Sequence, residues 1–152
     1  MTLFPPAPVS PDSLTAAGWK CHALSGHMGR NGPLWTHTDA QGQRRYGLLM
    51  EEGHLNPAGV VHGGALLTLA DHAISAAVWQ QAGRQPSVTV QLDSHFVAVA
   101  RAGDFVVCTV EITHSTRSMV FARAALHAGA QLVLQAQGVW KVQAKRDNAT
   151  HD

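Results

Sequence analysis

From Ala65 to Val78 nearly every residue is Ala, Leu, Ile or Val, and the side-chain oxygens fall at Thr68, Asp71 and Ser75. At 3.6 residues per turn, Gly64, Thr68, Asp71 and Ser75 share one stripe of a helix that is apolar on most of its circumference. Such a helix, expected over Ala65 to Gln81, has to be wrapped on several sides. After Gly83 to Pro86 the period changes from 3.6 to 2. Val88, Val90, Leu92 and Phe96 alternate with Thr89, Gln91, Asp93 and His95. Phe105 to Thr113 alternates again, with Val106, Cys108, Val110 and Ile112 on one face. Met119 to His127 is a third run, His127-Ala-Gly-Ala reads as a hairpin turn, and Gln131 to Val142 is a fourth run.

Upstream, Leu34 to Thr38 and Arg44 to Glu52 read as two strands joined by the turn Asp39 to Gly42, with a loop over Gly26 to Pro33 before them. A short helix is expected from Pro11 or Asp12 to Cys21. The prolines of residues 1–12 make an extended arm, and residues 144–152 form a polar tail. The predicted order is two strands, one long helix, then four strands that can pair as an antiparallel meander. One helix cannot cover both faces of about six strands. The economical α+β arrangement is a curved sheet wrapped around the helix, with its other face or edge covered by a second copy. Residues 1–152 read as a single domain, since no repeat or linker divides them.

Composition narrows the function. With 152 residues, 45% hydrophobic and 14% charged, the chain can bury a proper core. A formal net charge of +1 and the lack of a basic, aromatic-interleaved cluster argue against nucleic acid. Cys21 and Cys108 are isolated, which suits free thiols in a reducing cytoplasm. The N-terminus has neither a charged n-region nor an apolar h-region, and no run is long enough to span a membrane, so a cytoplasmic protein is expected. Ten histidines raise the question of metal, but no HxH, HExxH or Cys/His pairing at ligand spacing occurs, so no metal and no cofactor are expected.

Two features of the helix carry candidate chemistry. An ionised carboxylate at Asp71 is costly in apolar surroundings unless paired or hydrogen-bonded, so it is either a satisfied core aspartate or a working group. At the helix start, Gly63 and Gly64 leave backbone N–H groups bare, and the helix dipole adds partial positive charge, which suits a developing oxyanion.

The string Asn56-x-x-Gly59-x-x-His62-Gly63-Gly64, with Asp71 on the helix that follows, resembles the hotdog-fold acyl-CoA thioesterases of the phenylacetic-acid-pathway type and their mammalian thioesterase-superfamily relatives. The likeness covers about Pro33 to Val142. It implies a hotdog fold, acyl-CoA as substrate and a homodimer or dimer of dimers. By this resemblance Asp71 activates water or attacks the thioester carbonyl directly, and the Gly63 N–H, with that of Gly64, holds the oxyanion. Asn56 orients the carbonyl or water, His62 shapes the loop or moves a proton, and Thr89 stands where relatives place a hydroxyl that positions water. The alternation, however, assigns Thr89 to the face opposite Val88, Val90 and Leu92. Thr68 shares the helix stripe and is a candidate substrate contact. Thr116-Arg117-Ser118 resembles the turn that relatives place against coenzyme A; Arg117 reads equally as a solvated turn arginine, and Arg101 is a weaker candidate.

Spacing adds an independent point. Gly63 and Asp71 lie eight residues apart, roughly 12 Å along one helix at about 1.5 Å per residue, so they cannot both touch one carbonyl. Two protomers with antiparallel helices about a twofold axis would bring Asp71 of one to Gly63 of the other, and a monomer would be inactive. Rival readings are a hotdog hydratase or dehydratase, whose helix-entry signature differs, and a non-catalytic acyl-CoA-binding protein.

Overall fold

The structure is a computed structural model describing residues 8–143; the first seven residues of the Pro-rich arm and the tail at 144–152 lie outside the described residues. In chain order the elements are α1 (Pro11–Ala16), β1 (Lys20–His22), α2 (Gly26–Arg30), β2 (Leu34–Thr38), β3 (Arg44–Leu49), a 3-10 turn (Glu52–His54), α3 (Gly63–Gln81), β4 (Ser87–Phe96), β5 (Phe105–Ser115), β6 (Met119–Ala128) and β7 (Gln131–Val142). The strands form one antiparallel sheet in the order β1-β2-β3-β5-β6-β7-β4.

The apolar run behaves as its composition requires. α3 buries Ala65, Leu66, Leu69, Ala70, Ala73, Ile74 and Val78. They pack with Tyr46, Leu48, Val106, Cys108, Val120, Leu126, Leu134 and Trp140 in one core held in the concave face of the sheet. The stripe carrying Thr68, Asp71 and Ser75 is left half-buried. No helix among the described residues is long and apolar enough to cross a membrane.

Part of the outer sheet face is covered by the chain itself rather than by a second copy. Leu14 of α1 and Trp19 pack on Trp35, Phe105 and Val107, with the Trp19 and Phe105 rings edge to face at 4.8 Å. α1 ends at Ala16, short of the predicted Cys21, because Gly18 turns the chain at φ +86° into β1, a seventh strand. The expected loop at Gly26 to Pro33 contains α2, whose buried Met28 anchors it to the core; five residues are too few to show a helical period.

The meander expected after α3 is corrected at its first strand. β5, β6 and β7 pair in sequence, but β4 pairs with β7 on the far edge, and β5 joins β3. Alternation reports which side chains share a face, not which strand lies alongside. β4 is therefore an edge strand, and Val88, Val90 and Phe96, with Val97 and Val99 just after it, are exposed.

A bulge between Thr89 and Gln91 breaks the period of two in β4: Thr89 opposes Trp140, Gln91 opposes Val139, and Val90 is the extra residue. Gly138 permits this, since a Cβ there would lie 2.1 Å from the Gln91 carbonyl oxygen. Gly138→Ala is expected to cost about 2 kcal/mol of stability, because backbone rather than a flexible side chain must move. The reading is a lower urea midpoint; an unchanged midpoint would mean that the bulge does not depend on this approach.

Candidate active site

The loop into α3 is built from local hydrogen bonds. Asn56 folds it as an Asx turn, its Oδ1 accepting from the Ala58 N–H at 2.9 Å and the Val60 N–H at 3.4 Å. Its backbone N–H donates to the Val60 carbonyl at 2.8 Å, and Leu55 bridges Val61. The side-chain NH2 of Asn56 is left without a partner among the described residues.

His62 then caps α3: its Nδ1 accepts from the Gly64 N–H at 2.8 Å. That bond requires an unprotonated Nδ1, so in the neutral ring the proton sits on Nε2, at an exposed edge. It also corrects one expectation, because the Gly64 N–H is not bare. Nothing among the described residues accepts from the Gly63 N–H, which stays free at the positive end of a 19-residue helix. The Phe96 ring lies across Gly63, where a Cβ would sit 2.8 Å from its Cε1.

His54, which the sequence gave no reason to single out, secures this loop. Its buried ring accepts at Nδ1 from the Glu51 N–H at 2.8 Å and donates from Nε2 to the Asn31 carbonyl at 2.8 Å. Its own carbonyl accepts from the His62 N–H at 2.8 Å. A buried side chain thus ties the end of α2 to the entrance of α3.

Asp71 is half-buried near the middle of α3, and the Thr89 hydroxyl donates to its Oδ1 at 2.7 Å. The β4 bulge makes this contact. Trp140 faces the helix, its Nε1–H donating to the Ser75 Oγ at 2.9 Å, and Thr89, directly opposite Trp140, faces the same way. Thr89 therefore stands on the helix side, not on the face that simple alternation assigned. Asp71 Oδ2 has no partner among the described residues, and Asp71 lines a cleft of about 480 Å³. The cleft walls come from His27 and Met28 of α2, Thr68, His72 and Ser75 of α3, and Leu92 and Ser94 of β4. Burial pushes the His72 pKa below the usual imidazole value, and the neighbouring Asp71 offsets this only in part.

Not all predicted residues converge. Asp71 and Thr68 line the cleft and Thr89 bonds to Asp71 behind it; Asn56, His62, Gly63 and Gly64 cluster at the helix entrance, roughly 12 Å away at about 1.5 Å per residue over eight residues. Arg117 and Ser118 are exposed at the β5–β6 turn, on neither group, and Arg101 is exposed beside Asp104. A groove of about 440 Å³ on the outer face of β5, β6, β7 and β4 contains none of the predicted residues, and Glu111 and Arg123 in it pair with each other. Among the described residues no three His, Cys, Asp or Glu side chains are grouped to hold a metal.

The family model of the thioesterase superfamily matches residues 58–134, from the entry loop through α3 to β7. A Pseudomonas aeruginosa protein named as an esterase is 40% identical over 110 residues, covering 72% of this chain and 82% of that one. The chain belongs to the thioesterase superfamily. It is a thioester hydrolase, and the long helix in a curved antiparallel sheet is the hotdog fold of that superfamily. Human acyl-coenzyme A thioesterase 13 is 29% identical over 89 residues, covering 59% of this chain and 64% of the relative. Among solved structures, a Streptococcus pneumoniae thioesterase protein with coenzyme A superposes with a TM-score of 0.70 at 19% identity, covering 78% of this chain and 92% of that one, which is a likeness of fold. The matched segment of this thioesterase holds His62, Gly63, Asp71 and Thr89 but stops before Trp140, the strand partner that fixes where Thr89 points.

Proposed function

We propose that this thioesterase hydrolyses acyl-CoA thioesters in sites shared between two copies of the chain. The observation that carries the reading is the pair Asp71–Thr89 opening on a cleft while the free Gly63 N–H lies a further two helical turns away on the same helix. The coenzyme A assignment draws on the human acyl-coenzyme A thioesterase and on the streptococcal structure holding coenzyme A.

In this reading Thr89 holds Asp71 Oδ1, leaving Oδ2 to take a proton from water as it adds to the thioester carbonyl, or to attack that carbonyl itself. The tetrahedral oxyanion receives the N–H of the partner's Gly63. Collapse breaks the C–S bond and releases coenzyme A as its thiol after proton transfer; where water has added this leaves the free acid, and where Asp71 has attacked it leaves an acyl–Asp71 anhydride, which water then hydrolyses to the free acid and the Asp71 carboxylate. The unpaired NH2 of Asn56 and the Nε2–H of His62 are donors for the carbonyl or water at the entrance. Arg117 and Ser118, exposed on their turn, are offered to the phosphates of coenzyme A, and Thr68 to the substrate at the cleft wall. The exposed edge of β4, bearing Val88, Val90 and Phe96, supports pairing with a second copy, as a dimer or a dimer of dimers.

Subunit exchange tests the shared site. Homodimers of Asp71→Asn and of Gly63→Pro are each expected to be inactive. A heterodimer has one site with both lesions and one with neither, so mixing should restore activity toward half the wild-type value per heterodimer. A thiol reagent follows coenzyme A release, with exposed Cys21 as a constant background and Cys108 buried. Heterodimers demonstrated by mass yet devoid of activity would defeat the arrangement.

A further inference from the structure

On the helix side of β7, Ala136, Gly138 and Trp140 follow one another at steps of two, and their partners on β4 are Ser94, Leu92 and Thr89. The steps on β4 are therefore two and then three. An unbroken strand cannot present Leu92 and Thr89 on one face, because side chains an odd number of positions apart point to opposite sides. The extra residue Val90, 58% exposed, is what brings them together. Counted back from Leu92 without the bulge, Val90 would oppose Trp140 and Thr89 would oppose Lys141 on the outer face. Asp71 would then meet a valine in place of the hydroxyl that now donates to its Oδ1 at 2.7 Å.

We propose that Gly138, which is not part of the cleft wall, is a positioning residue for hydrolysis: by admitting the Gln91 carbonyl it holds Val90 out of the ladder and keeps Thr89 turned to Asp71. The inference rests on the Asp71–Thr89 reading above and goes beyond it by giving a catalytic consequence to a residue on the neighbouring strand. Gly138 is not at positive φ, so its missing side chain supplies space rather than backbone freedom. A Cβ there would overlap the Gln91 carbonyl oxygen and meet Trp140 Cζ3 at 3.0 Å. A side chain at 138 therefore expels the carbonyl. Val90 enters the ladder opposite Trp140, and Thr89 swings to the outer face. Asp71 keeps both oxygens but loses the hydroxyl that fixes one of them, so the chemical step slows while substrate affinity holds. The same register change also dictates its own cure, a hydroxyl at position 90.

The test is kcat and KM of Gly138→Ala, Thr89→Val and Val90→Thr, singly and paired, with one acyl-CoA that the wild type hydrolyses. Gly138→Ala should lower kcat by roughly tenfold to a hundredfold, the range of a hydrogen bond to a charged group, with KM held within about twofold. Adding Thr89→Val should cost nothing further, because Thr89 has already left the site. Adding Val90→Thr, measured against Val90→Thr alone, should restore most of kcat. Wild-type kcat in Gly138→Ala would overturn the proposal. So would losses that multiply in the pair with Thr89→Val, or no recovery with Val90→Thr, the behaviour of a glycine that only makes room for the Trp140 ring. Stability gives a separate reading that holds even where Gly138→Ala alone does not fold. Deleting Val90 removes the extra residue, so Gly138→Ala should lower the urea midpoint less in the deleted chain than in the wild type, and an equal or larger loss would overturn the proposal. Full turnover in Thr89→Val would defeat the functional reading, with the midpoints still deciding the bulge; a loss in Thr89→Val without one in Gly138→Ala would defeat this inference alone.

Discussion

Asp71→Asn is expected to reduce thioester hydrolysis by at least about 10³-fold while the chain stays folded. The substitution keeps shape, and an amide oxygen can still accept the bond that Thr89 donates to Oδ1 at 2.7 Å. What it removes is the second oxygen, Oδ2, which has no partner among the described residues, on a side chain that lines the cleft. An amide NH2 in its place can neither take a proton from water nor attack a carbonyl. Asp71 is only half-buried, so its charge is not the costly kind that destabilises an interior, and stability should change by no more than about 1 kcal/mol. The measurement is kcat with a panel of acyl-CoAs, alongside the urea midpoint and the affinity for a thioether analogue. A folded Asp71→Asn enzyme with near-wild-type turnover would remove this carboxylate from the mechanism.

Gly63→Pro is expected to lower kcat by on the order of 10² to 10³, the usual effect of losing one oxyanion donor. The position tolerates proline for two reasons. It is the first residue of α3, where a missing N–H breaks no helix bond, and His62 before it already has φ −63° and ψ 135°, the extended conformation that a residue preceding proline adopts. The added Cβ would press on the Phe96 ring at 2.8 Å, but Phe96 is 54% exposed and its ring can swing aside. Gly63→Ala meets the same ring and keeps the N–H, so it isolates the donor from the contact. The decisive quantity is kcat of the proline variant relative to the alanine variant. A ratio near one would show that the N–H does not serve the transition state.

Most of what these experiments probe was legible in the residue pattern, for identifiable reasons. The helix from Gly63 to Gln81 and its half-open stripe follow from a 3.6-residue period, and the strands from β5 onward follow from a period of two. Both are properties of neighbouring residues along one stretch. The glycine pair at the helix entrance and the carboxylate two turns on were readable for the same reason, and so was the family whose model the chain matches. α1 was anticipated but overrun, because the turn at Gly18 depends on how Trp19 packs across the outer sheet face.

What only the tertiary structure decided are the relations between stretches. β4 lies beside β7 rather than β5, a choice set by how the sheet closes around α3 and invisible to alternation within β4. The bulge at Val90 depends on Gly138, 48 positions downstream, whose missing side chain admits the Gln91 carbonyl; that one extra residue turns Thr89 toward Asp71. The cap of His62 on Gly64 distinguishes one free N–H from two, and His54 becomes a clamp only because α2 brings the Asn31 carbonyl to its ring. His27, Met28, His72, Leu92 and Ser94 share a cleft although they come from three elements spread over 68 positions. Local periodicity sets the face of a side chain as long as the strand keeps its register; long-range packing sets where that register breaks and which other side chains are met, and a catalytic site is made of such meetings.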